Sequence, residues 1–172
     1  GAAPQPVVPA GTFSGRRIGF TQWVSYGGNL AEFQKAAAGA GHFNPLVDLD
    51  GTSRRVPLLV EHNGQYYESL SLAMVRNLLG NPAIIPGYPS NSPSSYAAME
   101  WLELKGGGSA PMVIPVDENA ATLIPYRGFQ NSFRYISITD VLNEKVPKEQ
   151  LSGRIAVVGT TAPGLMDLRA TP

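Results

Sequence analysis

The chain contains no cysteine, and this absence removes several classes of chemistry at once. Disulfides, iron–sulfur clusters, thiolate zinc sites and cysteine nucleophiles all need that residue. Histidine is nearly as scarce: His42 and His62 are the only two, too few and too far apart in the sequence to indicate a metal centre, although the fold could still bring them together. We therefore predict a protein with no metal site and no cofactor.

Charged residues are also few, at 15% of the chain, and 13 Lys and Arg balance 13 Asp and Glu. Nucleic-acid binding needs a cationic surface that neutralises phosphates, so we expect no nucleic-acid partner. No apolar run approaches the roughly 18 residues of a spanning helix, and residues 1–9 lack the basic start and apolar stretch of a signal peptide. The chain is expected to be soluble and to carry no targeting segment.

The remaining composition indicates a folded domain with many turns. Of 172 residues, 43% are hydrophobic, and 19 Gly and 15 Pro stay below the share that marks low-complexity disorder. A chain of this length is about the size of one domain. We predict a single domain over residues 17–172 and a disordered lead-in or cloning remnant over residues 1–16, which are rich in Pro, Gly and Ala.

Periodicity and turn signals predict an α/β fold with a mixed sheet. Residues 54–62 and 65–68 indicate a hairpin at or near the sheet edge, because Asn63-Gly64 is the signal for a type I′ turn. Gly80 to Ser95 is expected to be a long surface loop. Helices are predicted at about 29–38, capped by Asn29 and lying on a sheet, at 69–79, and at 138–142 with a capping-box-like start; further strands are predicted at 17–24, 98–105, 112–117, 121–126, 133–136 and 154–159.

The run 154–159 is continuously apolar after its arginine, which is typical of a strand covered on both faces. It is predicted to lie near the sheet centre. Open α/β sheets usually bind ligands at the carboxyl ends of their strands, so the following loop, 160–169, is predicted to border a ligand or partner surface. The candidate binding residues are Thr160, Thr161, Asp167 and Arg169, with an Asp167–Arg169 pair that locks the loop as the alternative.

The stretch from Asp48 to Leu59 combines two carboxylates, a turn glycine and paired arginines. An EF-hand-type calcium loop fails here, since Ser53 and Leu59 occupy the positions that need Gly and Glu. We predict a structural role instead, in which Asp48, Asp50 and Gly51 form a tight turn and Arg54 and Arg55 neutralise the acids.

No enzyme motif stands out elsewhere in the chain. There is no Gly-x-Ser-x-Gly elbow, so an acyl-transfer nucleophile would have to be an unmarked serine such as Ser69 or Ser71, which suit helix capping and packing better. Gly106 to Gly108 lack the Lys-Ser/Thr of a P-loop, and the scattered carboxylates select no acid/base pair. We predict that this chain is not an enzyme.

Three groups of segments, in order along the chain, resemble the C-terminal portion of the CHASE type-2 sensory domain. The first comprises 40–44, 48–58 and 66–73, the second 124–128, 133–137 and 140–142, and the third 151–164 with Asp167, Thr171 and Pro172. Together they span about residues 28–172.

The resemblance implies a fragment of an extracytoplasmic sensory domain, on the periplasmic face of a bacterial membrane, joined to the membrane through helices outside this chain. It implies signal output through a cyclase or a kinase, and the segment 159–172 looks most like the cyclase-linked members, which favours an adenylate cyclase. The family supplies no agreed ligand or catalytic residues. We expect an unknown small-molecule or periplasmic ligand and a possible homodimer. A histidine or Ser/Thr kinase sensor, a ligand-free dimerisation or scaffold module and a hydrolase stay open as alternatives.

Overall fold

The computed structural model of the chain describes residues 4–90, 98–106, 110–129, 132–160 and 171–172. They belong to two compact units, Gly1–Ile124 with Thr171–Pro172, and Pro125–Ala170. The first unit contains β1 (Thr21–Gln22), α1 (Ala31–Ala36), β2 (Arg55–Pro57), β3 (Leu59–His62), β4 (Gln65–Glu68), α2 (Leu70–Leu78), β5 (Ala83–Gly87), β6 (Trp101–Lys105), β7 (Met112–Pro115) and β8 (Ala121–Leu123). The second contains α3 (Ile138–Leu142) and a 3₁₀ turn (Lys148–Gln150). The fold is α/β with mixed strand pairing.

The predicted hairpin is confirmed and belongs to a mixed three-stranded sheet. β3 pairs antiparallel with β4 and parallel with β1, so β3 is the central strand. Asn63 and Gly64 both have positive φ, 52° and 73°, as a type I′ turn requires. Asn tolerates this region better than most residues, and glycine enters it without a steric penalty.

The predicted strand 54–62 is divided between two sheets. β2 pairs antiparallel with β8, whereas β3 joins β1 and β4. The division falls at Pro57 and Leu58, where a proline cannot donate to a ladder and the Leu58 amide donates to the Ala120 carbonyl instead (2.8 Å). The chain thus changes sheets at the proline.

The loop predicted from Gly80 to Ser95 is corrected over residues 83–87, which form β5 at the edge of an antiparallel sheet in the order β5-β6-β7. Pro86 is tolerated because an edge strand has one side free of ladder bonds. Gly87 lies opposite Trp101, whose indole occupies the space that a Cβ at Gly87 would need. The Pro and Gly that suggested a loop therefore mark an edge strand.

Helix α2 begins and ends close to the predicted residues. The Ser69 hydroxyl accepts a hydrogen bond from the Leu72 amide (3.3 Å), which satisfies one of the free N–H groups of the first turn. Gly80 and Asn81 follow the helix with φ of 80° and 58°. Leu72 is the buried residue of this helix and joins the core.

The core of the first unit includes residues from the predicted lead-in. Val8 and Phe13 are 5% and 6% exposed, and the Phe13 ring packs edge-on against Tyr66 (4.7 Å between centroids). A disordered lead-in over 1–16 is thus corrected for the part that these side chains anchor. Burial of these two apolar side chains stabilises an ordered backbone despite the Pro and Gly content of the segment. The other buried hydrophobic members of the core cluster are Leu58, Leu59, Leu72, Ile84, Met99, Leu102, Leu104 and Ala120.

Helix α1 differs from the prediction in both its start and its packing. It begins after Leu30, and the Asn29 side chain accepts only from the adjacent Leu30 amide. Leu30 and Phe33 are 63% and 60% exposed, so the expected apolar face does not lie on a sheet. Gly39 and Gly41 follow one turn after this six-residue helix, which leaves it too short for a continuous apolar stripe.

The central-strand prediction for 154–159 is wrong, and 133–136 also forms no strand. Ile155, Val157 and Val158 are 63%, 85% and 81% exposed. An apolar run becomes a buried strand only when neighbouring strands satisfy its N–H and C=O groups and other elements cover its faces. The described residues supply neither to this segment.

Candidate functional site

The turn before β2 is built by Asp48, Asp50 and Gly51. The Gly51 amide donates to the Asp48 carbonyl (2.9 Å), and Gly51 has a φ of 80°, which glycine adopts readily. The Asp50 carboxylate accepts the Thr52 amide (2.9 Å), and the Asp48 amide donates to the Thr52 carbonyl (2.9 Å). This local bonding directs both carboxylates toward the start of β2.

Five side chains then form an alternating chain of charges. Arg54 donates to Asp50 through two nitrogens (3.0 and 2.7 Å) and to Asp48 (2.9 Å). Arg55 donates to Asp48 (3.0 Å) and to Asp117 (2.7 Å). The order of the chain is Asp50, Arg54, Asp48, Arg55, Asp117, and we call it the acid–arginine network.

Hydrogen bonds from the arginines fix the charge states of the network. Bonds from Arg54 and then Arg55 lower the pKa of Asp48, and Arg54 lowers the pKa of Asp50. The same bonds raise the pKa values of Arg54 and Arg55. A general acid at neutral pH needs a carboxyl whose pKa is raised, so neither aspartate suits that role. The bonds link the turn at Asp48 and Asp50 to the start of β2 and to Asp117.

Asp117 is the member of the network that sequence reasoning missed. One of its oxygens accepts the Asn119 and Ala121 amides (2.9 and 3.0 Å), and the other meets Arg55. The available signal was the turn sequence Asp-Glu-Asn-Ala directly before a strand. What the sequence did not show is that this strand, β8, pairs with β2 and so brings Asp117 to Arg55.

The two histidines have separate environments. His42 is 9% exposed, its ring meets Trp23 edge-on (5.0 Å between centroids), and burial lowers its pKa to about 4. Neither ring nitrogen is satisfied within the described part of the chain. His62 Nδ1 lies 2.6 Å from the Trp23 carbonyl oxygen. Burial therefore keeps His42 neutral near pH 7.

The other residues considered for chemistry have structural surroundings. Ser69 is 1% exposed, and its hydroxyl caps α2 and bonds the Ser71 hydroxyl (3.0 Å). Within the described ranges, no group of three or more His, Asp or Glu side chains is arranged to hold a metal ion.

The predicted binding loop is described only at its first residue. Thr160 is exposed, whereas Thr161, Asp167 and Arg169 lie outside the described residues. The strand that was expected to present this loop is not formed, as shown above for 154–159.

A polar cleft of about 350 Å³ lies in the second unit, and sequence reasoning did not find it. Its half-buried lining residues are Ile136, Asp140, Val146 and Gln150. Its exposed lining residues are Arg134, Tyr135, Ser137, Lys145 and Pro147. Two cations and a carboxylate therefore line one open cleft of small-molecule size.

The turn after α3 positions Lys145 at this cleft. Glu144 has a φ of 57°, and the Lys145 amide donates to the Asp140 carbonyl (2.9 Å), which is the bonding pattern of a Schellman motif. An acidic residue in a left-handed position gives no strong sequence signal, since glycine usually occupies it. This explains why the cleft was missed.

Within the described ranges, no helix has both the length and the apolar character needed to cross a bilayer.

Comparison with known proteins identifies the family. The family model of the CHASE2 domain matches residues 5–172, nearly the whole chain. Searches of curated proteins and of solved structures found no significant match. CHASE2 domains are extracellular, non-catalytic sensory domains of signalling proteins. The chain belongs to the CHASE2 domain family.

Proposed function

We propose that this chain is the extracytoplasmic, periplasmic input domain of a bacterial membrane-bound signalling protein whose output is a class III adenylate cyclase. The match of the CHASE2 model to residues 5–172 carries the sensory part of the proposal. The resemblance of residues 159–172 to cyclase-linked members supports the cyclase.

The mechanism follows from linkage. A ligand or partner that binds two conformations of the domain, or of a homodimer, with different affinities shifts their populations and thereby the output. Coupling free energies of this kind are typically ~1–3 kcal/mol, a change of about 5- to 150-fold in the equilibrium. The described residues of the acid–arginine network support a non-catalytic role, because their charges are already satisfied.

The test uses the full-length protein in cells that lack other cyclases. We expect cyclic AMP to form, and its rate to change when this domain is replaced by an unrelated extracytoplasmic domain. Phosphotransfer instead of cyclic AMP would identify a kinase sensor. A stable dimer by sedimentation with no response to any extracytoplasmic metabolite would indicate a scaffold, and turnover of cell-wall or sugar substrates by the purified chain would indicate a hydrolase.

The loop 160–169 belongs to this proposal as a surface for ligand or partner. Sequence chemistry supports it, since Thr160, Thr161, Asp167 and Arg169 combine hydroxyls with opposite charges. We expect alanine at Asp167 or Arg169 to alter the response of the full-length receptor without unfolding it. An unchanged response in both variants would refute the role of this loop.

A further inference from the structure

The cleft of the second unit is lined by charges that have no partner in the described residues. No side-chain hydrogen bond or ion pair there involves Arg134, Asp140 or Lys145. In the first unit, by contrast, Arg54, Arg55 and Arg76 all form ion pairs with carboxylates. Unpaired charges of both signs on one concave surface are available to a ligand.

The depth at which each charge lies indicates which ligand group it would meet. Asp140 is half-buried, whereas Arg134 and Lys145 are exposed. A ligand that enters the cleft would therefore place a hydrogen-bond donor near Asp140 and an anionic group near the two cations. Gln150, also half-buried, adds an amide that can donate and accept.

Local backbone geometry holds these groups in place. The Schellman-type turn fixes Lys145 one turn beyond Asp140. The backbone amide of Gln150 donates to the Pro147 carbonyl (3.0 Å) within the 3₁₀ turn, which leaves the side-chain amide for a ligand. Ser137 occupies the N-cap of α3, but its side chain makes no capping bond. Its hydroxyl is thus another group that a ligand can use.

We propose that this cleft binds a small carboxylic acid that also carries an amine or a hydroxyl group, that is, an amino or hydroxy acid. Arg134 and Lys145 bind the carboxylate, and the Asp140 carboxylate accepts a hydrogen bond from the amine or hydroxyl group. The volume of about 350 Å³ accommodates a molecule of this size. This inference names the ligand class of the sensor and in that respect rests on the proposed function.

Direct binding to the purified 172-residue chain tests the site. We expect L-serine and L-lactate to produce saturable NMR shifts in residues 134–150. Acetate lacks the amine or hydroxyl and ethanolamine lacks the carboxylate, so each should bind at least about tenfold more weakly, because each loses the hydrogen bonds to one side of the cleft.

Matched substitutions separate the cleft from general charge effects. Lys145→Gln and Arg134→Gln should weaken binding of L-lactate by about tenfold or more, and Asp140→Asn should weaken L-serine binding more than acetate binding. Lys148→Gln and Glu149→Gln, exposed residues outside the cleft lining, should leave binding unchanged. Circular dichroism of each variant checks that the fold is retained.

The proposal is overturned if neither L-serine nor L-lactate binds, if acetate or ethanolamine binds equally well, or if the cleft variants bind as the unsubstituted chain does. Measuring the cyclic AMP output of the full-length protein with the same ligands and variants distinguishes failure of the site from failure of the sensory function. Binding without any change of output would leave the site standing and refute the sensory role assigned to it. A ligand response of the receptor that survives all cleft variants would refute the site and leave the sensory function standing.

Discussion

Arg76 and Lys145 are both cations near the carboxyl end of a helix, but only Arg76 has an acidic partner. Arg76 Nη1 donates to Glu68 at 2.6 Å, its Nε donates to the Pro82 carbonyl at 2.9 Å, and both charged side chains are largely buried. Lys145 is exposed at the cleft of the second unit and has no ion pair within the described residues. Arg76 links β4, α2 and the segment after α2, whereas the Lys145 side chain is available to a ligand.

The same contrast holds for apolar side chains. In the first unit Leu59 and Val60 are fully buried, whereas in the described part of the second unit, 125–129 and 132–160, no residue is buried. Buried apolar area is the main stabilising contribution to a fold. Substitutions should therefore affect stability chiefly in the first unit.

The largest effect is expected for the buried ion pair. Arg76→Met leaves the Glu68 carboxylate buried without its partner, and removing one member of such a pair typically costs ~3–5 kcal/mol of unfolding free energy. Chemical denaturation measures the loss. Arg17→Met, which removes an exposed arginine, is the control and should change stability little. Equal losses in the two variants would show that the pair is not what holds α2 in place.

A backbone contact gives the next test. A Cβ at Gly41 would lie 2.5–2.6 Å from the backbone of Ser69 and Leu70, so Gly41→Ala must separate two chain segments. We expect a loss of about 3 kcal/mol, the upper range for overpacking. Gly39→Ala is a matched control, because nothing lies within 4 Å of its Cβ position. A small effect at Gly41 would mean that these segments do not pack as described.

The buried His42 should make stability depend on pH. Its pKa is lowered from 6.5 to about 4, so between these values the unfolded chain binds a proton that the folded chain does not. Stability should fall as the pH drops from about 6.5 to 4, by up to about 3 kcal/mol, and no further from this group below pH 4. His42→Phe should flatten that part of the curve. An unchanged slope in His42→Phe would assign the effect to other groups.

The smallest effect is expected from the exposed side of the acid–arginine network. Arg54→Gln removes the main partner of Asp50, so the pKa of Asp50 should rise toward its ordinary value, which carboxyl NMR titration would detect. A lowered carboxyl pKa stabilises the fold above the pKa of the unfolded chain, and this stability is lost as the pH falls below 3.8. In Arg54→Gln the pKa of Asp50 lies nearer 3.8, so the variant should lose less stability over the same pH range. The change at neutral pH should be smaller than for Arg76→Met and should decrease further in 1 M salt, where the Debye length of about 3 Å is close to the length of this ion pair.

A larger loss for Arg54→Gln than for Arg76→Met would reverse this ranking of the ion pairs. If Arg54→Gln abolished the receptor response without lowering stability, the acid–arginine network would be a binding surface. That result would contradict a purely structural role for the network in the first unit.

Local signals were sufficient for some elements. Asn63-Gly64 set the hairpin, Ser69 and Gly80 bounded α2, and α3 was predicted with its observed limits, Ile138–Leu142. In each case the determining contacts lie within a few residues. Turn chemistry and capping are readable in the sequence for that reason.

The remaining features depend on pairing between segments that are distant in the sequence, and local sequence patterns do not predict such pairing. The change of sheet at Leu58 depends on Ala120, and the membership of Asp117 in the network depends on the pairing of β2 with β8. The apolar run 154–159 satisfied the pattern of a buried strand but has no described strand to pair with. The cleft depends on Glu144 adopting a positive φ, which the residue type does not indicate.

Hydrogen exchange of the 172-residue chain, with and without saturating L-serine, tests the central claim that the first unit supplies stability and the second supplies recognition. Without ligand, amides of β3 and α2 should exchange only through global unfolding, and those of residues 134–150 should exchange through much smaller openings. L-serine should slow exchange in 134–150 and leave the turn 48–52 unaffected. Protection that appears at the acid–arginine network instead, or nowhere, would contradict the account.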